Sequence, residues 1–215
     1  YNNSWGSPDN GVLNPAEQSF IDAIEGGIAN GRGGKGSIYV FPAGNGGCYL
    51  RNPDGTCAYS ENSNFDGYVN KRGVIAVCAV DDTGRASVYA EPGANILVCG
   101  PSGNERSGIT TTTTRNGYRS NFSGTSAATP MVSGVVALML QANPNLTWRD
   151  VRLILARSAR HNDAGDPGWS TNFGLNFNPK YGFGTADAKA AVNMAQGWAS
   201  VGGATALQKC GYVRG

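Results

Sequence analysis

The chain has 215 residues, charged residues make up 15% of it, and its formal net charge is +2. That length suits one domain with a sizeable core, and so even a charge balance argues against a polyanionic partner such as nucleic acid. No apolar run reaches membrane-spanning length and no signal peptide is recognisable, so no membrane association is expected.

The chain opens on Asn3-Ser4-Trp5-Gly6, an extended segment that breaks at Ser7-Pro8. Asp9 follows, and an Asp in a loop is by default a turn former. Asn14-Pro15-Ala16-Glu17 reads as N-cap, first helical position and capping partner of a helix running to about Asn30 and ending at Gly31-Arg32-Gly33-Gly34. Residues 37–41, SIYVF, form a short apolar strand suited to a parallel sheet. Pro42-Ala43-Gly44-Asn45-Gly46-Gly47 comes straight off that strand, at the carboxyl end where open α/β sheets bind ligands. Asn45 is there either as a residue that tolerates a left-handed turn or as a donor aimed at a ligand. Residues 48–70 form a polar loop ending in Asn64-Phe65-Asp66-Gly67-Tyr68. Residues 73–80 are a second buried strand by their β-branched run, and residues 95–99 a third, weaker one. Residues 100–120 read as loop and edge structure, with β propensity in the threonine run 110–114.

Residues 121–140, NFSGTSAATPMVSGVVALML, pass from a polar Gly-Thr-Ser turn into a long apolar run of helix formers. Ser126 stands at the mouth of that helix, where unpaired N–H groups and a partial positive charge gather. Pro130 fits the first turn, where it removes no needed donor. Read alone, the stretch is equally a core helix with a Ser/Thr cap. Beyond a turn at Asn143-Pro144-Asn145, Thr147 and Asp150 read as N-cap and acidic partner of a helix reaching about Arg160. Residues 161–180 are loop, residues 185–196 an amphipathic closing helix, and the tail to Gly215 has weak periodicity. Of five cysteines, Cys48 and Cys57 flank a turn and can close a small loop; Cys78 and Cys99 lie in strands as a pair or as buried thiols; Cys210 is left over. Low charge and potential disulfides favour a secreted protein.

GTSAATPMVSGVVALMLQANPNLTWRDV resembles the nucleophile region of subtilisin-like serine proteases, the subtilases, and LTWRD within it resembles their kexin/furin branch. The likeness runs from Asn3-Ser4-Trp5-Gly6 to Tyr181-Gly182-Phe183-Gly184. It implies an α/β fold with a mostly parallel sheet flanked by helices. Residues 1–197 would be the C-terminal portion of the peptidase domain, and residues 198–215 a linker toward a downstream P domain. The resemblance makes Ser126 the nucleophile and Asn45 the oxyanion-hole donor. Ser4, Trp5 and Gly6 become the strand that pairs with the substrate backbone, and Asp9 and Asp66 the acids that select Arg or Lys at P1. Two carboxylates facing one narrow pocket repel each other unless a cation separates them. The furin-type calcium site falls on Asp9, Glu61 and Glu91, with Glu at 61 where relatives carry Asp; hard oxygen ligands of this kind suit Ca²⁺. The family's catalytic Asp and His motifs would lie before Ser4. The only histidine here, His161, follows the nucleophile helix in what reads as a surface turn. The expectation is therefore a serine endopeptidase acting on polypeptides, its Asp and His supplied by an N-terminal portion of the same domain. The alternatives are a non-catalytic fragment that binds a partner through its cleft, and an unrelated hydrolase pairing Ser126 with His161.

Overall fold

The computed structural model describes residues 1–48, 50–55, 57–104 and 107–202. In chain order the elements are α1 (Gln18–Gly34), β1 (Tyr39–Pro42), β2 (Leu50–Arg51), β3 (Cys57–Tyr59), a 3-10 turn (Ser63–Phe65), β4 (Val74–Val80) and β5 (Ile96–Pro101). They continue with β6 (Ile109–Thr113), β7 (Gly117–Phe122), α2 (Thr125–Ala142), α3 (Trp148–Ser158), β8 (Ser170–Asn172), β9 (Leu175–Phe177) and α4 (Ala188–Gln196).

The centre is a parallel sheet in the order β1-β4-β5. β4, VIAVCAV, is buried at every position, as a strand covered on both faces must be. Its side chains alternate between two cores, because successive Cβ atoms point to opposite faces. Ile75, Val77 and Ala79 join Val40, Val98, Val132, Val136 and Ile154 on one side. Val74 and Ala76 join Ile24, Phe41 and Val69 under α1 on the other. The result is an α/β sandwich with α1 on one face and α2, α3 and α4 on the other, as the sequence implied. Parallel strands need long crossovers, and the β1–β4 crossover carries the β2–β3 hairpin, stapled by a Cys48–Cys57 disulfide. Cys78 and Cys99 face each other in register on β4 and β5 and are also bonded. Cys210 lies outside the described residues.

Tertiary pairing moves several local expectations. Asn14 does not cap α1, whose N-cap is Glu17, without a side-chain bond. Asn14 instead pairs with the 65–67 segment through Asn14 N–H to Phe65 O and Gly67 N–H to Asn14 O. α1 does leave helical geometry at Gly31–Gly33, as read. The threonine run becomes β6, hairpinned to β7, and a small β8–β9 hairpin stands in the expected 161–180 loop. α3 carries the expected capping box from Thr147 and Asp150, but ends at Ser158. α4 starts later than expected, at Ala188, because Thr185 pairs with Arg160 and Cys99. Contrary to the sequence reading, α2 has the length and apolar composition of a membrane span. Seven of its side chains are buried, and it packs on β1, β4, β5 and α4, which is the position of a core helix. Of the expected 198–215 linker, Trp198, Ser200 and Val201 all donate to the Asp150 carboxylate; residues 203–215 lie outside the described part.

Candidate active site

Two loops at the carboxyl side of the sheet meet the start of α2. Gly124 is the helix N-cap, with φ 92°, a left-handed conformation that glycine adopts without steric cost. It is held from three directions. Its N–H donates to the Tyr89 hydroxyl (3.0 Å), its carbonyl accepts from Ser102 Oγ (2.8 Å), and Ala127 N–H returns to that carbonyl at 3.0 Å. The Tyr89 hydroxyl in turn donates to Gly103 O at 2.6 Å. Tyr89 and Ser102 carried no signal in the sequence, since both fall in stretches without a motif; only their convergence on Gly124 marks them.

Asn45 sits in the loop after β1. Its Oδ1 accepts from Thr125 N–H (2.8 Å) and Thr125 Oγ1 (3.0 Å). A backbone N–H can only donate, so the oxygen end of this carboxamide is fixed toward Thr125. The Asn45 amide nitrogen donates to nothing among the described residues. It is a free donor on a side chain anchored one residue before Ser126. The Ser126 hydroxyl lies 3.4 Å from Ser4 O, and Ser4 Oγ donates to Ser126 O at 3.0 Å. The 4–6 segment, the helix mouth and the Asn45 loop therefore come together. His161 does not join them: its ring packs edge-on against Trp169 at 4.3 Å and makes no hydrogen bond among the described residues.

Trp5 is half exposed and meets the rings of Phe41 and Tyr68 edge-on at 5.3 Å. Asp66 flanks the same segment. Its carboxylate accepts from Ser7 N–H (2.9 Å), Ser7 Oγ (3.1 Å) and Tyr68 N–H (2.8 Å). A Cβ at position 6 would stand 2.7 Å from Asp66 Oδ2, so the absence of one at Gly6 gives the carboxylate its room.

Asp9 stands with a different group. Oxygens of Asp9, Glu61 and Glu91 lie within 4.8 Å of one another, with Glu61 and Glu91 only 5% and 3% exposed. Gly44, at φ 109°, makes room for this cluster: a Cβ there would meet Glu91 Oε1 at 2.2 Å. Burial, followed by the charges of Asp9 and Glu61, pushes the Glu91 carboxyl up to about 8, against a single backbone N–H from Gly46 at 2.9 Å. Burial also raises Glu61, offset in part by the Gly11 N–H and reinforced by the charges of Asp9 and Asp66. Glu61 Oε2 is buried with no partner. Leaving a buried oxygen of this kind unsatisfied costs ~1–3 kcal/mol, and the donor set of three converging carboxylates fits a hard divalent cation.

Residues 1–184 match the subtilase family. The chain is 36% identical over 203 residues to Protease KEX1 of Kluyveromyces lactis, across 94% of this chain and 26% of that protein. It is 37% identical over 209 residues to neuroendocrine convertase 2 of Rattus norvegicus, across 94% of this chain and 31% of that protein. The crystal structure of the serine protease of Aeromonas sobria is similar with a TM-score of 0.81 at 26% identity, across 94% of this chain and 44% of that one. The chain thus spans about a third or less of the length of these two curated relatives. With its parallel sheet, its Asn45 loop and its Gly-Thr-Ser helix in this arrangement, the chain belongs to the subtilase family, with similar relatives among the kexin and convertase proteases.

Proposed function

We propose that this chain forms the nucleophile and oxyanion side of a secreted, calcium-binding serine endopeptidase that cleaves polypeptides after Arg or Lys. The observation that carries the reading is the anchored Asn45 carboxamide, its oxygen held by Thr125 and its amide left free beside Ser126. Ser126 Oγ attacks the scissile carbonyl carbon as its proton passes to an imidazole. The negative charge that develops on the carbonyl oxygen is met by Asn45 Nδ2–H and by the Ser126 backbone N–H, one of the unpaired donors of the helix end. Collapse of the tetrahedral intermediate breaks the C–N bond as the imidazolium returns that proton to the departing amine, and leaves an acyl-Ser126 ester. Water then attacks this ester through the same oxyanion site.

The imidazole and the Asp that orients it belong, in this reading, to a segment N-terminal to Tyr1. Two features support such a companion. The backbone of the 1–3 segment pairs along β1 and with no further strand among the described residues, and Asn2 accepts from Ser133 of α2. Met131 and Leu138 of α2 are also exposed, at 46% and 48%. Ser4, Trp5 and Gly6 hold the substrate backbone, and Asp66 beside Gly6 recognises the P1 cation through a charge-assisted contact. Asp9, Glu61 and Glu91 hold Ca²⁺, which supplies the positive charge that lets the three carboxylates stay ionised together. Two disulfides in the chain support an oxidising, extracellular setting. Labelling of the native preparation with a fluorophosphonate tests the reading. Modification of Ser126 is expected, and an unlabelled protein with an intact fold would instead favour the scaffold role.

A further inference from the structure

Trp148 opens α3, with its ring almost wholly buried. Arg72, in the turn before β4, holds its guanidinium over that ring, 5.8 Å from the centroid. Arg152, one helical turn further along α3, reaches the same place and donates to the Val74 carbonyl at the start of β4. Arg72, Trp148, Arg149, Arg152 and Leu153 line one cleft of about 240 Å³. The guanidinium groups of Arg72 and Arg152 therefore share one small cleft, and no carboxylate is among the residues that line it.

The acids nearest in sequence or space are otherwise placed. Asp150 accepts from Thr147 N–H and Oγ1, Trp198 Nε1, Ser200 Oγ and Val201 N–H. Burial works against its charge, but those bonds outweigh it and bring its pKa to about 2. Glu25 lines the adjoining cleft with Lys71 and Arg72. Yet neither Arg72 nor Arg152 has an ion-pair partner among the described residues. Burial first, and then the charge of Arg72, lower Arg152 to about 10. Like charges held together at a partly dehydrated site are a standing cost unless an anion joins them.

We propose that this cleft binds a tetrahedral oxyanion, sulfate or phosphate, either free or carried on a polypeptide or glycan. Guanidinium forks converging on a small space match the several acceptor oxygens of such a group better than the two of a carboxylate. The buried Trp148 ring forms one wall of the cleft. The site makes no use of Ser126, Asn45 or the acid cluster, so it stands whether or not the proteolytic reading does.

Inorganic sulfate at low millimolar concentration is the probe, compared with chloride at equal ionic strength on the purified protein. The expected result is a melting temperature roughly 3 °C higher in sulfate, with Arg72→Gln and Arg152→Gln each removing the difference. Arg152 also holds the Val74 carbonyl, so Arg72→Gln, at an exposed position, carries the test should the other variant fold poorly. Equal melting in the two salts, or an unchanged sulfate effect in Arg72→Gln, overturns the proposal. A phosphoserine peptide and an O-sulfated disaccharide, titrated against sulfate, separate the sources. Tighter binding of one names the carrier, and binding of neither beyond sulfate itself assigns the free ion.

Discussion

At the mouth of α2, neutral groups close on one another: Asn45 on Thr125, Tyr89 and Ser102 on Gly124, Ser4 on Ser126. At the loops from Asp9, Glu61 and Glu91, three carboxylates crowd within 4.8 Å and one oxygen is left without a partner. The first region is assembled by the chain's own donors and acceptors, and its geometry is ready before any ligand arrives. The second carries a repulsion that only a proton or a cation relieves. Changes in the first should therefore register as rate, and changes in the second as stability, with a dependence on pH and on metal.

The largest effect that would break this contrast is on the acid cluster. Chelation near pH 7.5 is expected to lower the melting temperature by roughly 10 °C. This corresponds to ~4 kcal/mol for a cation present at a thousandfold its Kd. Glu91→Gln should blunt that response, and a melting curve indifferent to chelator and calcium would contradict the assignment. The pH dependence follows from the direction of the Glu91 shift. In the cation-free protein its carboxyl titrates near 8 against an ordinary 4.5. The folded state thus binds a proton that the unfolded chain releases. The stability this proton contributes is complete below about 4.5 and is lost as pH rises through about 8. Calcium must displace the same proton, so its affinity should rise by up to about tenfold per pH unit across that window. Calorimetric titration at pH 5.5, 6.5 and 7.5 checks the slope; a flat series would contradict it.

Asp66→Asn comes next: the preference for Arg over Leu at P1 should fall by roughly 100-fold in kcat/KM. A profile of matched peptides that does not move would remove Asp66 from substrate recognition. Smallest is Tyr89→Phe, which deprives Gly124 N–H of its acceptor at about 1 kcal/mol. It should slow kcat by about fivefold with little change in KM. A fall in melting temperature without a fall in kcat would mean that the network supports the fold and not the helix mouth.

The parallel sheet was legible because β4 is apolar at every position, which only a strand buried on both faces needs to be. The α3 capping box was legible because Thr147 and Asp150 satisfy each other locally. Where local signals failed, a distant partner had claimed the residue. Asn14 has the chemistry of a cap but is held by the 65–67 backbone. Thr185 has the look of a helix start but pairs with Arg160 and Cys99. At the candidate site the motif residues Asn45 and Ser126 could be named from the chain alone. Tyr89 and Ser102 could not, since their role depends on where a tyrosine hydroxyl lands after two crossovers. The grouping of Asp9 with Glu61 and Glu91 was legible through the resemblance, whereas the second place given to Asp9, beside Asp66, was not separable from it in the chain alone. Asp9 and Asp66 look alike in sequence, yet one joins Glu61 and Glu91 while the other is bound by Ser7 and Tyr68.

The most direct test of the account is kcat for Asn45→Asp in the assembled protease. This substitution keeps an oxygen to accept from Thr125 and so preserves the loop, while it removes the amide donor. Loss of the corresponding donor in subtilisin, itself a subtilase, costs ~10²–10³ in kcat, and that magnitude is carried over. The account predicts a fall of at least that size with KM close to the parent value; a kcat within a few-fold of the parent would contradict it.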